Sequence, residues 1–207
     1  MSTRIRLLIA DDHSIVRIGL TSLFENEPDI EVVGQAVDGK DAIAKALQLR
    51  PDVVIMDLMM PKADGTTATA AIKEQLPGTK ILLLTTFGSS NGIAQALDAG
   101  AEGALTKTAE DATLVSAVRK VFRGQKTISP EIRKMLTEEP PIAELSSRQA
   151  EILASITRGL TNKDIAAELG ISARSVDEHV NALFQKLGAA TRAEAVAIAL
   201  RKQLLKI

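Results

Sequence analysis

The chain has 207 residues, 45% hydrophobic and 25% charged, with 25 Lys and Arg against 26 Asp and Glu for a formal charge of −1. These values match ordinary globular domains and exclude a disordered, collagen-like or coiled-coil chain. No apolar run reaches the ~18 residues of a membrane span, the opening MSTRIRLLIADDH turns acidic too early for a secretory signal, and zero cysteines exclude disulfides and Cys-built metal sites.

A cytoplasmic protein of one or two domains is therefore expected, and the chain order supports two. Up to about residue 122, short runs rich in Ile, Val and Leu alternate with stretches whose apolar residues recur at helical spacing. The spacing predicts strands at Ile5–Ala10, Glu31–Ala36, Asp52–Met56, Lys80–Thr85 and Gly103–Leu105. Helices are predicted at Ser14–Leu23, Asp41–Leu49, Thr67–Leu76, Gly92–Ala99 and Ala112–Phe122. Five β–α repeats imply an α/β domain over 1–124, a doubly wound five-stranded parallel sheet in order 2-1-3-4-5, with its active edge at the C-terminal ends of the strands.

Residues 125–143 read as a linker, with Ser129-Pro130, the stiff pair Pro140-Pro141 and room for a short helix at Glu131–Glu139. Residues 144–207 read as a smaller all-α domain of four helices. Ser146/Gln149, Thr161/Asp164 and Thr191/Glu194 have capping-box form, and Gly159, Gly170 and Gly188 stop the first three helices. Charge divides the same way. Residues 1–124 hold 13 basic and 16 acidic side chains (net −3), whereas 145–207 hold 9 and 6 (net +3), so a polyanion, if bound, is met by the tail.

Three acids fall at the active edge. Asp11 and Asp12 follow the first strand and Asp57 ends the third, its neighbour in the sheet. Converging carboxylates repel, and a hard cation with oxygen ligands relieves them; Mg²⁺, or Mn²⁺, suits carboxylates, water and a phosphoryl oxygen. Thr85 ends the fourth strand and Lys107 ends the fifth, adding a hydroxyl and an ammonium. Singly, each has an ordinary use: a helix cap for Asp11 or Asp12, a strand residue for Thr85, a solvated cation for Lys107. Together they match phosphoryl handling, with Asp57 as nucleophile.

Two near-matches fail. Gly34–Lys40 has the G-x4-G-K spacing of a phosphate-binding loop, but Asp41 stands where Ser or Thr must hold a metal, so Gly39 is read as a turn into the second helix. Asp57-Leu58-Met59 lacks the second aspartate of a haloacid-dehalogenase-type phosphatase. A nucleotide hydrolase thus predicts ATP turnover that the motifs do not support, and a purely protein-docking role predicts no retention on DNA.

The residues Ala10–His13, Met56–Pro61, Asp64-Gly65, Thr85-Thr86 and Ala101–Lys107 resemble the receiver domain of two-component response regulators, with its flavodoxin/CheY-like fold. The resemblance implies that Asp57 accepts phosphate from a histidine kinase and that Asp12, Asp57 and the Met59 carbonyl hold Mg²⁺, with Asp11 acting through water. It also implies that Thr85 and Lys107 bind the phosphoryl oxygens. Ala104 departs from the pattern, in which an aromatic often follows the glycine matching Gly103. Met59 and Phe87 are apolar two positions beyond Asp57 and Thr85, which predicts a slowly hydrolysing acyl phosphate. His13 is placed at the first helix start, with no metal-ligand partner near it.

In the tail, Thr161–Leu169, the turn at Gly170-Ile171 and Ser172–Phe184 form a helix-turn-helix pattern. Leu145–Arg148, Gly159–Ala166 (with Thr161, Asn162 and Lys163), Ser175-Val176, His179 and Lys186–Gly188 resemble a LuxR-type DNA-binding module. A receiver followed by this module resembles NarL/FixJ-class transcription regulators, which implies a homodimer on double-stranded promoter DNA after phosphorylation and no membrane. The second helix presents Ser172, Ala173, Arg174, Asp177, Glu178 and Asn181 outward. Arg174 suits guanine or phosphate and Asn181 suits adenine; Asp177 and Glu178 either accept from cytosine or pair with Arg174 along the helix. His179 is read as a packed or capping residue. The apolar face of the last helix, Ala193–Leu204, fits either a tail interface or its own core.

Overall fold

The computed structural model describes residues 4–86, 90–142, 145–202 and 204. The chain divides into two compact units, Met1–Glu139 and Pro140–Ile207. Among the described residues no helix is long and apolar enough to cross a membrane.

The first unit is a parallel sheet of β1 (Ile5–Ala10), β2 (Ile30–Ala36), β3 (Val53–Met56), β4 (Lys80–Thr85), β5 (Gly103–Thr106) and a short β6 (Thr127–Ile128). The order is β2-β1-β3-β4-β5-β6. Between them run α1 (Ser14–Glu25), α2 (Gly39–Leu49), α3 (Gly65–Gln75), α4 (Ser90–Asp98) and α5 (Asp111–Phe122), and α6 (Pro130–Glu138) closes the unit. The strands are near-continuous apolar runs because helices cover both faces of the sheet. Alternate residues serve two cores. Leu8, Ala10, Val54, Met56, Ile81, Leu83 and Ala104 share one cluster, whereas Ile5, Leu7, Ile9, Val53, Ile55, Leu82, Leu84 and Leu105 share the other with the buried face of α5.

Six strands replace the five expected. Thr127 and Ser129 donate backbone N–H groups to Glu102 and Ala104 carbonyls (3.0 Å each), so the segment after α5 completes the β5 edge. Two residues carry no readable periodicity, and the stretch read as linker from 125 therefore contributes a strand and a helix to the first unit. Ser129 caps α6 by accepting from the Ile132 amide, with Pro130 in the first turn.

Two glycines press helix starts against the loop that follows β3. A Cβ on Gly39 would lie 1.9 Å from the Ala63 carbonyl oxygen, and one on Gly65 would lie 2.2 Å from that of Asp57. The same loop carries Lys62 at φ +65°, where its ammonium reaches the buried Asp38 carboxylate at 2.6 Å. Asp38 itself caps α2. Thus Gly34–Ala36 end β2, and the chain turns at Val37 and Asp38 into α2 at Gly39, the turn expected once the phosphate-loop match fails.

The second unit holds α7 (Ser147–Thr157), α8 (Asn162–Leu169), α9 (Ala173–Leu187) and α10 (Arg192–Arg201). All three capping boxes form. Gly170 and Gly188 end α8 and α9 in left-handed conformation. Ile152, Leu153, Ile165, Val176, Leu183 and Ala195 sit at the centre of its separate core. Ala195 and Ala199 of α10 are buried in that core and Leu200 is exposed.

Candidate functional site

Parallel pairing of β1 with β3 sets Ala10 opposite Met56, so the next residues, Asp11 and Asp57, emerge side by side. The Asp57 amide donates to Ala10 O at 2.8 Å, which fixes that register. Both carboxylates are buried, at 1% and 3% exposure. Lys107, delivered by the end of β5, donates to Asp57 Oδ2 at 2.9 Å and to Asp11 Oδ2 at 2.5 Å. Its own amide donates to Thr85 O (2.9 Å), locking the β4 and β5 ends together.

The electrostatics follow from burial. Desolvation pushes the Asp57 carboxyl above the ordinary carboxylate range; the Lys107 hydrogen bond and charge pull it back, and the Asp11 charge adds to the rise. Burial also opposes the Lys107 ammonium, but its bonds to Asp11 and Asp57 outweigh this and hold its pKa above the usual value. One cation therefore serves two buried acids. Thr85 is buried at the same edge, and its hydroxyl has no hydrogen-bond partner among the described residues. A buried hydroxyl without a partner is costly, and an acceptor oxygen brought within its reach would offset that cost.

Asp11, Asp12, Asp57 and His13 each offer an atom within 4.8 Å of the others. His13 is a correction to the expectation that it lacks such partners: its Nδ1 lies 2.8 Å from Asp12 and 3.3 Å from Asp11. The adjacency is local, since the His13 amide also donates to Asp11 Oδ1 (2.8 Å) and draws the turn back on itself. Three carboxylates with one ammonium leave negative charge and oxygen donors that fit a hard divalent cation. Met59, two residues after Asp57, donates its amide weakly to Asp57 Oδ1 (3.4 Å) and is half exposed. Phe87 lies outside the described residues. Arg17, which the sequence reading missed, donates to the Asp11 carbonyl at 2.8 Å; its position one turn into α1 was the available signal.

In the second unit, α8 and α9 meet through the turn at Gly170, and the sequence-expected residues divide into exposed and engaged groups. Lys163 and Asn181 are exposed. Thr161 is the α8 cap, and its hydroxyl, then its amide, holds the Asp164 carboxyl below the ordinary range. Ser175 donates its amide to the Ser172 hydroxyl at the start of α9 (3.1 Å). Lys186 reaches Gln149 of α7 at 3.4 Å. Arg174 contacts Glu178 at 3.3 Å along the helix, a long and exposed pair. Asp177 instead accepts from Asn162 Nδ2 at 2.7 Å, while Arg192 donates to Asn162 Oδ1 at 3.1 Å and also to Leu160 O. Arg192 lies 30 residues from Asn162, a separation no local pattern reveals.

Known proteins match both units. Residues 7–119 match the model of the response regulator receiver domain, and residues 143–199 that of the bacterial regulatory proteins of the luxR family. The response regulator protein VraR of Staphylococcus aureus is 39% identical over 207 residues, covering 98% of this chain and 99% of VraR. Among solved structures, the response regulator ChrA of a heme-sensing two-component system is 36% identical, covers 99% of this chain and 100% of its own, and has a TM-score of 0.59. RcsB from Salmonella enterica serovar Typhimurium, solved on a promoter with phosphomimetic BeF3−, is 26% identical. That alignment covers 97% of this chain and 100% of RcsB, with a TM-score of 0.71.

Proposed function

The chain belongs to the two-component response regulators that join a receiver domain to a LuxR-type DNA-binding domain, and from that premise we propose that phosphorylation of Asp57 by a histidine kinase controls its dimerisation and its binding to promoter DNA in the cytoplasm. The observation that carries this reading is Asp57 itself: a buried carboxylate at a strand end, one oxygen held by Lys107, at the same edge as a Thr85 hydroxyl with no partner among the described residues. Asp57 attacks the phosphorus of a phosphohistidine or a small acyl phosphate. The new bond is aspartyl O–P, the bond broken is P–N or P–O, and the electron pair leaves with the imidazole or carboxylate. The chain thus performs only self-phosphotransfer and acts as a regulator.

Asp12, Asp57 and the Met59 carbonyl are the residues to hold Mg²⁺ or Mn²⁺, with Asp11 through water, and the ion supplies charge neutralisation for the transferring group. Lys107 keeps its ammonium against one phosphoryl oxygen, and the Thr85 hydroxyl donates to another. Charge-assisted hydrogen bonds contribute ~1.5–3 kcal/mol each, so two give ~3–6 kcal/mol. Driving a two-state equilibrium from mostly off to mostly on takes ~5.5 kcal/mol, so the pocket suffices where most of that gain is specific to the active state. The apolar Met59 side chain screens the phosphoryl group from water and slows its loss.

On DNA, α9 enters the major groove. Arg174, Asn181, Lys163 and Lys186 supply base or phosphate contacts, whereas Asp177 and Asn162 brace α9 against α8, with Thr161 and Ser175 fixing the helix starts. Glu178 tempers Arg174. A tail of net +3 binds weakly as a monomer, and pairing two copies on two half-sites raises avidity. Treating the chain with acetyl phosphate and Mg²⁺, then sizing it and selecting from random duplex DNA, tests the reading. A dimer that enriches a two-half-site sequence is expected; an unchanged monomer with no enrichment contradicts it.

A further inference from the structure

Asn162 is the first residue of α8 and Arg192 the first of α10, each directly after a threonine cap, Thr161 and Thr191. A helix start carries positive partial charge, so a cation there is disfavoured by the helix on which it stands. Arg192 is nevertheless half-buried, and its guanidinium donates to the Leu160 carbonyl and to Asn162 Oδ1 (3.1 Å). Neither of these partners is a carboxylate. Its own helix does not account for the cation; the groups it holds do.

What Arg192 holds is the orientation of an amide. Asn162 accepts from Arg192 through Oδ1 and donates through Nδ2 to Asp177 Oδ1 at 2.7 Å. Reversed, the amide would set its NH2 against the guanidinium and its oxygen against the carboxylate, two repulsions in place of two hydrogen bonds. A cation at one end and an anion at the other thus select one orientation and strengthen both bonds. Asp177 stands on the second turn of α9, the helix proposed to enter the groove. Of residues 173–179 only Val176 is buried. The start of α9 therefore has one apolar anchor, and the Asn162 bond to Asp177 ties it to α8.

We propose that Arg192, on α10, is a positioning residue for DNA recognition: through Asn162 it fixes Asp177, and with it the angle at which the start of α9 presents Arg174 and Asn181. The inference rests on the reading that α9 meets the bases. Affinity of the phosphorylated full chain for its selected duplex and for random duplex, across a salt series, tests it. Arg192→Ala is expected to weaken binding to the selected duplex ~2–10-fold, the scale of one lost hydrogen bond, while random-duplex affinity and the salt slope stay parental. Adding Asn162→Ala should cost less than a further twofold, because the two residues act in series. Equal losses on both duplexes, with a slope shallower by about one counterion, would make Arg192 a phosphate contact and overturn the proposal. Undiminished selected-duplex affinity, or additive losses in the double variant, would overturn it too. A parent that does not prefer its selected duplex sinks the reading of α9 itself.

A swap that keeps the arginine decides the matter should Arg192→Ala not fold. Asn162→Asp sets a second acid against Asp177 and is expected to weaken the selected duplex at least as far as Arg192→Ala does. Adding Asp177→Asn turns the pair round, with an acid at 162 accepting both from Arg192 and from the new amide at 177. Selected-duplex affinity should then return to within about twofold of the parent. Failure of the swap to restore it, in a chain with parental circular dichroism, overturns the proposal, as does an Asn162→Asp variant that binds like the parent.

Discussion

The two units use the same charged side chains in opposite ways. In the receiver, Asp11, Asp57 and Lys107 are held out of water, so one ammonium shared by two acids leaves an uncompensated field that a cation and a phosphoryl group can complete. In the DNA-binding unit, Arg174 and Glu178 stand in solvent and pair along α9, and the exposed Asp177 is matched by the neutral Asn162 of α8. Burial makes the first set reactive; exposure makes the second adjustable, each contact being worth ~0.2–1 kcal/mol for an ion pair. The difference teaches that charge type alone does not mark a site, whereas charge without solvent does.

That contrast can be broken at several points. Removing the shared cation is the severest: Lys107→Met is expected to slow Asp57 phosphorylation by acetyl phosphate ~10²-fold or more, as loss of a preorganised charge partner does. Stopped-flow labelling at saturating Mg²⁺ measures it, and a change under threefold would count against the shared-cation account. Next comes the independence of the two cores. Leu183→Ala empties a fully buried position of the second unit and should cost ~2–5 kcal/mol there, while acyl-phosphate formation in the receiver keeps its parental rate. Denaturation followed by probes in each unit separates the two, and a parallel loss in both would join what the structure divides.

Smaller effects sharpen the comparison on the DNA side. Asn162→Ala removes the brace on Asp177, and a lost hydrogen bond of ~0.5–1.5 kcal/mol corresponds to ~2–10-fold weaker DNA binding. Asp177→Asn retains an acceptor and should bind at least as well as the parent, so equal losses in the two variants contradict a bracing role. Glu178→Ala frees Arg174 to meet phosphate. Affinity should rise modestly and the salt dependence steepen by about one counterion. Site selection with this variant is expected to return the parental sequence; a changed preference at one base pair assigns Glu178 to base reading.

Much of this was legible in the sequence, and the exceptions have physical reasons. Strands β1 and β4 were readable to the residue because parallel strands buried on both faces are continuous apolar runs, and the acids after β1 and β3 stood out against such runs. Capping boxes marked the tail helices because caps are local. β6 escaped because two residues have no period, and α6, expected only as a short helix at Glu131–Glu139, was left in the linker because nothing local ties its Ile132, Met135 and Leu136 stripe to the sheet core it packs on. The partners of Asp177 and His13 were hidden for different reasons: the first depends on how α8 and α9 cross, the second on a turn that folds a side chain back on its neighbours.

The most direct measurement is acyl-phosphate labelling and promoter-duplex affinity of Asp57→Asn beside the parent. Loss of the nucleophile should abolish the label and pin DNA affinity at the unphosphorylated level, with the fold intact because the amide fills the same volume. Persisting label, or an affinity that still climbs with acetyl phosphate, would mean that another residue carries the signal.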